Sequence, residues 1–272
     1  CRTYIFPKKA KISNSLILTD SDYQRVMITS WKHQNRIVLD SDAICLIEKI
    51  SSKQHRTFND VIRMKRGVLF DKRLLVEKKV GDDYYPYFEG DVYRYQINLQ
   101  TPSFIRFDDS LKERPKEITW FTSERILLRR LVNRQRRLMA MITDEVFISN
   151  KNLYCILPIT CSLHSVISIL NSKLISYLYL QQVTQATKDD FPQVTIKDIL
   201  GLPYPNMNEN EELALSSLSK QMIQLNKQMP AASGTNRETL DTRIAAIDRQ
   251  IDQLVYKLYG LTEDEIRIVD GV

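Results

Sequence analysis

Glycine is scarce in this chain, seven in 272 residues, and each one stands apart from the others. No Gly-x-Gly occurs, which excludes a dinucleotide-binding turn and a phosphate-cradling P-loop. The nine prolines are never adjacent, so the Asn-Pro-Pro-aromatic tetrapeptide that an amino-methyltransferase needs to hold its target amine is absent. Four cysteines, at 1, 45, 155 and 161, form no Cys-x-x-Cys, and histidines 33, 55 and 164 are scattered. Such spacing argues against a structural zinc site and a disulfide framework, and makes a reduced, cytoplasmic protein the expectation. No apolar run is long enough to span a bilayer, so no membrane partner is expected. No basic start, apolar stretch and small-residue cleavage site opens the chain. The first residue is Cys rather than Met, and the Arg-Thr-Tyr-Ile-Phe that follows is not the polar tether of a lipid-modified terminus. The expectation is a piece of a longer chain.

Catalytic groupings are equally thin. The nearest nuclease-like pattern is Asp71 with Glu77-x-Lys79, two carboxylates and a lysine of the kind that holds Mg²⁺ and a water. These residues fall in an ordinary charged hairpin region, not at the strand bend such a site requires. No Ser/His/Asp or Cys/His grouping follows from spacing, and His164, at the start of an amphipathic helix, reads as a surface or capping residue. No catalytic residue and no metal ligand is predicted.

What the chain does have is basic charge, and that charge is local. Residues 125 to 143 hold six arginines and no acid, a net of +6 equal to that of the whole chain; elsewhere 33 basic residues match 33 acidic ones. A second run, 61 to 79, has Arg63, Lys65, Arg66, Lys72, Arg73, Lys78 and Lys79 against Asp71 and Glu77, a net of +5. Like charges so close repel one another unless water or an anion screens them. The bland reading is a solvated strand edge that blocks aggregation. The sharper reading is a polyanion site.

Length allows one large domain or two smaller ones. To about residue 60 there are short β-like pieces, Ser15 to Leu18 and Arg25 to Ile28. A helix over 42 to 50 follows from apolar residues at 43, 46, 47 and 50, with Asp40 or Ser41 as its N-cap. From 58 to 160 Val, Ile, Tyr and Phe, punctuated by Gly and Pro, predict a mainly β region. Within it, Ile126 to Val132 and Leu138 to Ile142 predict a hairpin whose tip, Asn133 to Arg137, is arginine-rich, and Val146 to Ile156 extends the same sheet. A helix over Leu163 to Gln181 is capped by Ser162. Phe191-Pro192 and Leu202-Pro203-Tyr204-Pro205 are extended connections. Near the end, Leu215, Leu218, Met222, Leu225 and Met229, then Leu240, Ile244, Ile247, Ile251, Leu254 and Leu258, step by three and four. Pro230 and Gly234 part the two sets, Thr235-x-x-Glu238 reads as a capping box, and Gly260 as a stop. This is coiled-coil spacing on two helices that pack as an antiparallel pair. The fold class is therefore α+β, with a β-rich region, an amphipathic helix and a C-terminal helical pair. The expected divisions are 1–57, linker; 58–206, β-rich domain; and 207–272, helical hairpin.

Several stretches, in this order, coincide with one family. They are Trp31 and the helix 42 to 50; Phe58-Asn59-Asp60-Val61-Ile62-Arg63-Met64-Lys65-Arg66-Gly67-Val68; and Tyr85-Pro86-Tyr87-Phe88-Glu89-Gly90-Asp91-Val92-Tyr93-Arg94-Tyr95. Then come Arg129-Arg130, Asn152-Leu153-Tyr154, Leu170-Asn171-Ser172-Lys173-Leu174, Leu202-Pro203-Tyr204-Pro205, and the segment from Ile251 to Thr262, of which Leu-Val-Tyr-x-Leu-Tyr-Gly-Leu-Thr is the most specific part. Together they resemble the C-terminal specificity region of TaqI-like adenine DNA methyltransferases and of type IIG fused restriction–modification enzymes. Val68-Leu69-Phe70-Asp71-Lys72 stands where the family often has Ile-x-Thr-Gly, and Glu89 where a basic residue is common, so the target sequence does not carry over.

The resemblance implies a target recognition domain that binds double-stranded DNA. An upstream methyltransferase domain or subunit would bind S-adenosylmethionine and methylate adenine N6, and this chain would need no cofactor and be no enzyme alone. The Cys1 start then reads as a cut near the end of that catalytic domain. The expected DNA contacts are Lys65, Arg66, Lys72, Arg73, Arg94, Arg129, Arg130, Arg134, Arg136 and Arg137. The last three, at the tip, would meet phosphates, whereas Arg129 and Arg130 point to opposite strand faces. Two other readings stay open: a helical subunit that docks a partner protein, and a nuclease fragment built on Asp71, Glu77 and Lys79.

Overall fold

Two strands of this chain are apolar on both faces, and they take the middle of its main sheet. In a computed structural model, residues 2–3, 23–25, 41–53, 56–132, 135–182 and 193–271 are described. The elements in order are β1 (Arg2–Thr3), β2 (Gln24–Arg25), α1 (Ser41–Lys53), β3 (Arg56–Thr57), β4 (Ile62–Arg66), β5 (Tyr84–Tyr87), β6 (Asp91–Tyr93) and β7 (Gln96–Asn98). Then follow β8 (Ser103–Arg106), α2 (Thr119–Thr122), β9 (Arg125–Arg129), β10 (Ala140–Thr143), β11 (Leu153–Pro158), α3 (Leu163–Leu170) and α4 (Lys173–Gln182). Last come α5 (Ile196–Leu200), β12 (Pro203–Tyr204), α6 (Glu209–Gln228), α7 (Gly234–Tyr259) and α8 (Glu263–Asp270).

The main sheet has the order β10-β9-β11-β4, antiparallel throughout. Strands β9 and β11 are buried along nearly their whole length, as strands covered on both faces must be. β4 lies at an edge and alternates: Ile62 and Met64 point into the core, Arg63 and Lys65 into solvent, the period of two of a half-buried strand. Smaller antiparallel pairs, β5 with β8 and β6 with β7, lie beside this sheet. One continuous core runs from Leu46 of α1 through the sheet to Tyr259 of α7.

The predicted β9–β10 hairpin forms, with Leu128 opposite Ala140. Four expectations change. The solvated-edge reading of the arginine run fails, because β9 is an interior strand; the charged edge is β4. The helix expected over Leu163 to Gln181 is two helices, broken at Asn171-Ser172. The reason is that the Asn171 side chain pairs with the Ala140 backbone, accepting from its N–H and donating to its carbonyl, both at 2.9 Å. The third concerns α7, which starts at Gly234 after Ser233. Thr235 therefore lies inside the helix and makes no capping box. Gly260 does end α7, at φ +67°, a backbone region that favours glycine. Sheet residues 146–152 precede β11 rather than belonging to it. Ser15 to Leu18, Trp31, Phe191-Pro192 and most of Arg25 to Ile28 lie outside the described residues.

The heptad pair is present, but its buried stripe is wider than predicted. Leu215, Met222, Leu225, Leu240, Ile247 and Ile251 are buried, and so are Asp252, Val255, Tyr256 and Tyr259. The extra residues face α3, α4 and β12, because α7 packs on the rest of the chain as well as on α6. Ile247→Asp should lower stability by about 3 to 5 kcal/mol, since it puts a carboxylate in an apolar seam. Denaturant titration reads this, and an unchanged midpoint would mean the seam is open to water.

Candidate nucleic-acid interface

The arginine run is less free than its sequence suggests. Arg125 is fully buried. Its Nη1 donates to the carbonyls of Ser123 and Glu145, both at 3.0 Å, and its Nη2 to that of Phe147 at 3.2 Å. The guanidinium also lies over the Phe147 ring, 4.6 Å from its centre. Burial pulls its pKa down. Arg129 pairs with Asp91 at 3.2 Å, and Arg130 donates to Gln193 Oε1 at 2.6 Å. Neighbours on a strand, they do point to different places. Arg134 lies outside the described residues. Arg136 is exposed, with φ +58°, and has no partner among the described residues.

Arg137 and Arg94 turn inwards, contrary to their expected place on DNA. Both donate to the carbonyl of Asn171, Arg137 at 2.6 Å and Arg94 at 3.2 Å. Arg94 also forks onto Asp248 of α7, with Nη1 to Oδ2 at 3.1 Å and Nη2 to Oδ1. The break between α3 and α4 completes this joint. The Lys173 N–H donates to Asp252 at 2.8 Å, Lys173 Nζ pairs with Asp270, and the Tyr256 hydroxyl donates to Asp270 at 2.9 Å. Nearby, the Tyr259 hydroxyl donates to the Pro203 carbonyl at 2.8 Å. The Leu-Asn-Ser-Lys-Leu, Leu-Pro-Tyr-Pro and terminal α7 motifs thus lock together. They are structural, and they fix the helical pair against the β-rich part.

Asp252 is the strained member of the joint. It is 3% exposed; burial raises its pKa, and the Lys173 N–H and Arg137 offset this while Asp248 adds to it. A carboxyl whose folded pKa exceeds its unfolded value holds its proton longer in the native state. Stability from this group is therefore full below the unfolded pKa and declines as pH rises through the folded one. Asp252→Asn keeps an acceptor for Lys173 and does not titrate. The melting temperature of the variant, relative to the parent, should rise from pH 4 to pH 7; a difference constant with pH would mean Asp252 does not titrate in this range.

The remaining basic residues converge elsewhere. A groove of about 880 Å³ runs along the outer side of β4. Its walls include Arg63, Lys65 and Arg66 from β4, Arg114 and Lys116 from the segment before α2, and Trp120 of α2. Two backbone hydrogen bonds bring the segments together: Leu69 N–H to the Glu113 carbonyl, 2.9 Å, and Glu113 N–H to the Leu69 carbonyl, 3.1 Å. Gly67, at the end of this wall, permits a close approach of the chain, since a Cβ there would stand 2.1 Å from the Asn150 carbonyl oxygen. That approach carries Lys151 close enough for its carbonyl to accept from Arg66 Nε at 3.0 Å.

Within the groove Lys65 and Lys116 have no ion-pair partner among the described residues, and Arg63 lies 5.9 Å from the Trp120 ring centre. Arg114 is tied to Asp109 and the Phe107 ring. Arg66 is 3.5 Å from Glu113. Five cations face two acids, Glu113 and Glu117. Of the other expected contacts, Lys72 is exposed and unpaired among the described residues. Arg73 closes onto Asp71 at 2.8 Å, whose pKa falls to about 2 through the Arg73 side-chain and backbone hydrogen bonds. Asp71 is thereby committed to a turn, not gathered into a metal site. The sequence signalled Lys65 and Arg66; it missed Arg63, although this residue sits in the basic run, and Arg114 and Lys116, which the run Lys112 to Lys116 offered as a signal.

Comparison with known proteins follows the same line. Residues 85–204 match the TaqI-like C-terminal specificity domain. A protein of Methanocaldococcus jannaschii assigned as a type II restriction enzyme and methyltransferase is 33% identical over 270 residues, covering 94% of this chain but only 21% of its own length. The chain therefore spans about a fifth of that relative. In fold, it resembles the type IIL restriction–modification enzyme MmeI in complex with DNA, with a TM-score of 0.53 and 12% identity, over 80% of this chain and 35% of that one. Among the described residues no helix is long and apolar enough to cross a membrane. The family matched over residues 85–204 is the one that the chain's ordered motifs resemble.

Proposed function

We propose that this chain is the sequence-reading part of a restriction–modification DNA adenine-N6 methyltransferase. In this reading residues 58–206 grip double-stranded DNA, and residues 207–272 brace them. The S-adenosylmethionine site and the methyl transfer belong to a methyltransferase domain or subunit outside this chain, in a cytoplasmic enzyme. The relative's assignment as both restriction enzyme and methyltransferase supports the same combination of parts here.

The observation that carries the reading is the groove beside β4, where Arg63, Lys65, Arg66, Arg114 and Lys116 from two distant segments line one concave wall. A concave basic surface releases counterions when it meets phosphate, so binding weakens steeply with salt. Lys72, Arg136, Arg129 and Arg130 flank this reading as further contacts, whereas Arg94 and Arg137 support the scaffold. The test is fluorescence anisotropy with short duplexes over a salt series. A log–log slope near zero would sink the proposal.

A further inference from the structure

Phosphate contacts hold a protein on DNA, and contacts to base edges give it sequence preference. A groove meant only for phosphate would have no use for carboxylates. Glu113 nonetheless stands in the basic groove, its side chain 54% exposed. It is no loosely placed surface acid, because its own N–H and carbonyl are both bonded to Leu69. Beside it, Arg66 is held in the sheet by β4 and in orientation by the bond from its Nε to the Lys151 carbonyl. The contact between them, Arg66 Nη1 to Glu113 Oε2, is long at 3.5 Å. Neither group is saturated: Arg66 Nη2 and Glu113 Oε1 make no hydrogen bond among the described residues.

The pair therefore offers a fork of N–H donors next to a carboxylate acceptor, on one rigid wall. In the major groove, a G·C pair presents the complement: two acceptors, N7 and O6, on guanine and an amino donor, N4, on cytosine. An A·T pair puts its amino group and acceptors in another order. Resting on the DNA-reading function proposed above, we infer that Arg66 and Glu113 together read one G·C base pair, with Arg66 on guanine and Glu113 on the cytosine amino group. Arg63, Lys65 and Lys116, on the same wall, hold the flanking phosphates.

Glu113 distinguishes this from simple charge attraction. Its removal takes a negative charge out of a basic groove, so binding to arbitrary DNA should stay level or tighten while discrimination falls. The experiment is selection from a randomised duplex library by the intact protein, beside its Glu113→Ala and Arg66→Ala variants. In the parent, one column of the selected motif should be G·C. Both variants should lose that column and keep the others, with discrimination against the wrong pair falling roughly 5- to 150-fold. Replacing the guanine at that column by 7-deazaguanine should weaken the parent and leave Arg66→Ala unaffected. Melting curves check that Glu113→Ala folds as the parent does. A motif unchanged in Glu113→Ala, or all columns fading alike, would overturn the inference and leave the DNA-reading proposal standing. No selected motif from the parent would overturn both.

Discussion

Arg125→Ala should destabilise the chain by about 3 to 5 kcal/mol, the cost of a core cavity together with backbone carbonyls left without donors. Arg125 opens the most basic stretch of the sequence, yet its side chain is fully buried, and three carbonyls depend on it. Those carbonyls belong to Ser123, at the end of α2, and to Glu145 and Phe147, in the connection from β10 to β11. They end the main sheet on one side. Arg125→Met fills the same space without supplying donors, and should fall between the alanine variant and the parent. Chemical denaturation measures the order. DNA affinity per folded molecule should match the parent in both variants. A loss of affinity at unchanged stability would return Arg125 to the DNA surface.

The second large effect lies in the groove beside β4. The triple variant Arg63→Ala, Lys65→Ala, Lys116→Ala should bind duplex DNA with a salt slope shallower by about 3, since each phosphate contact contributes nearly one unit. Between 50 and 200 mM salt the parent should then lose about 40-fold more affinity than the variant. The same substitutions should barely alter stability, because Arg63 and Lys65 are exposed positions of an edge strand. A matching variant at Arg136 tests the hairpin tip, which the sequence favoured and whose described part now offers one exposed arginine. Equal slopes for parent and triple variant would move the DNA site away from this groove.

The sequence made the two-residue and heptad periods visible, because these depend on neighbours close in the chain. The α6–α7 pair was marked by its steps of three and four, and β4 lies in the region read as mainly β, where Ile62, Arg63, Met64 and Lys65 alternate. The break at Asn171-Ser172 was hidden, since Leu163 to Leu178 keeps helical spacing straight through it. What stops the helix is a partner, Ala140, that lies 31 residues away. The same limit explains the arginines. Arg94 meets an acid 154 residues distant, and nothing near Arg94 in sequence announces Asp248. A charge census counts every arginine of the run alike; folding makes Arg125 a core strut and Arg137 a scaffold tie, and leaves Arg136 exposed. The groove was half legible for a related reason. Its two walls are both basic in sequence, but only the Leu69–Glu113 pairing puts them face to face.

The joint around Asn171 sets terms for building chimaeras. Exchanging the β-rich half for one of another specificity removes Arg94 and Arg137 but leaves Asp248 and Asp252 on the retained helix. The two acids would then lie side by side at the seam without the cations that screen them. A transplanted half therefore needs an arginine at the position of Arg94 and an Asn-Ser-Lys helix break, even if every base-reading residue is chosen afresh. In the proposed reading, compatibility across the seam and choice of target are written in different residues, so each can be redesigned while the other is held fixed.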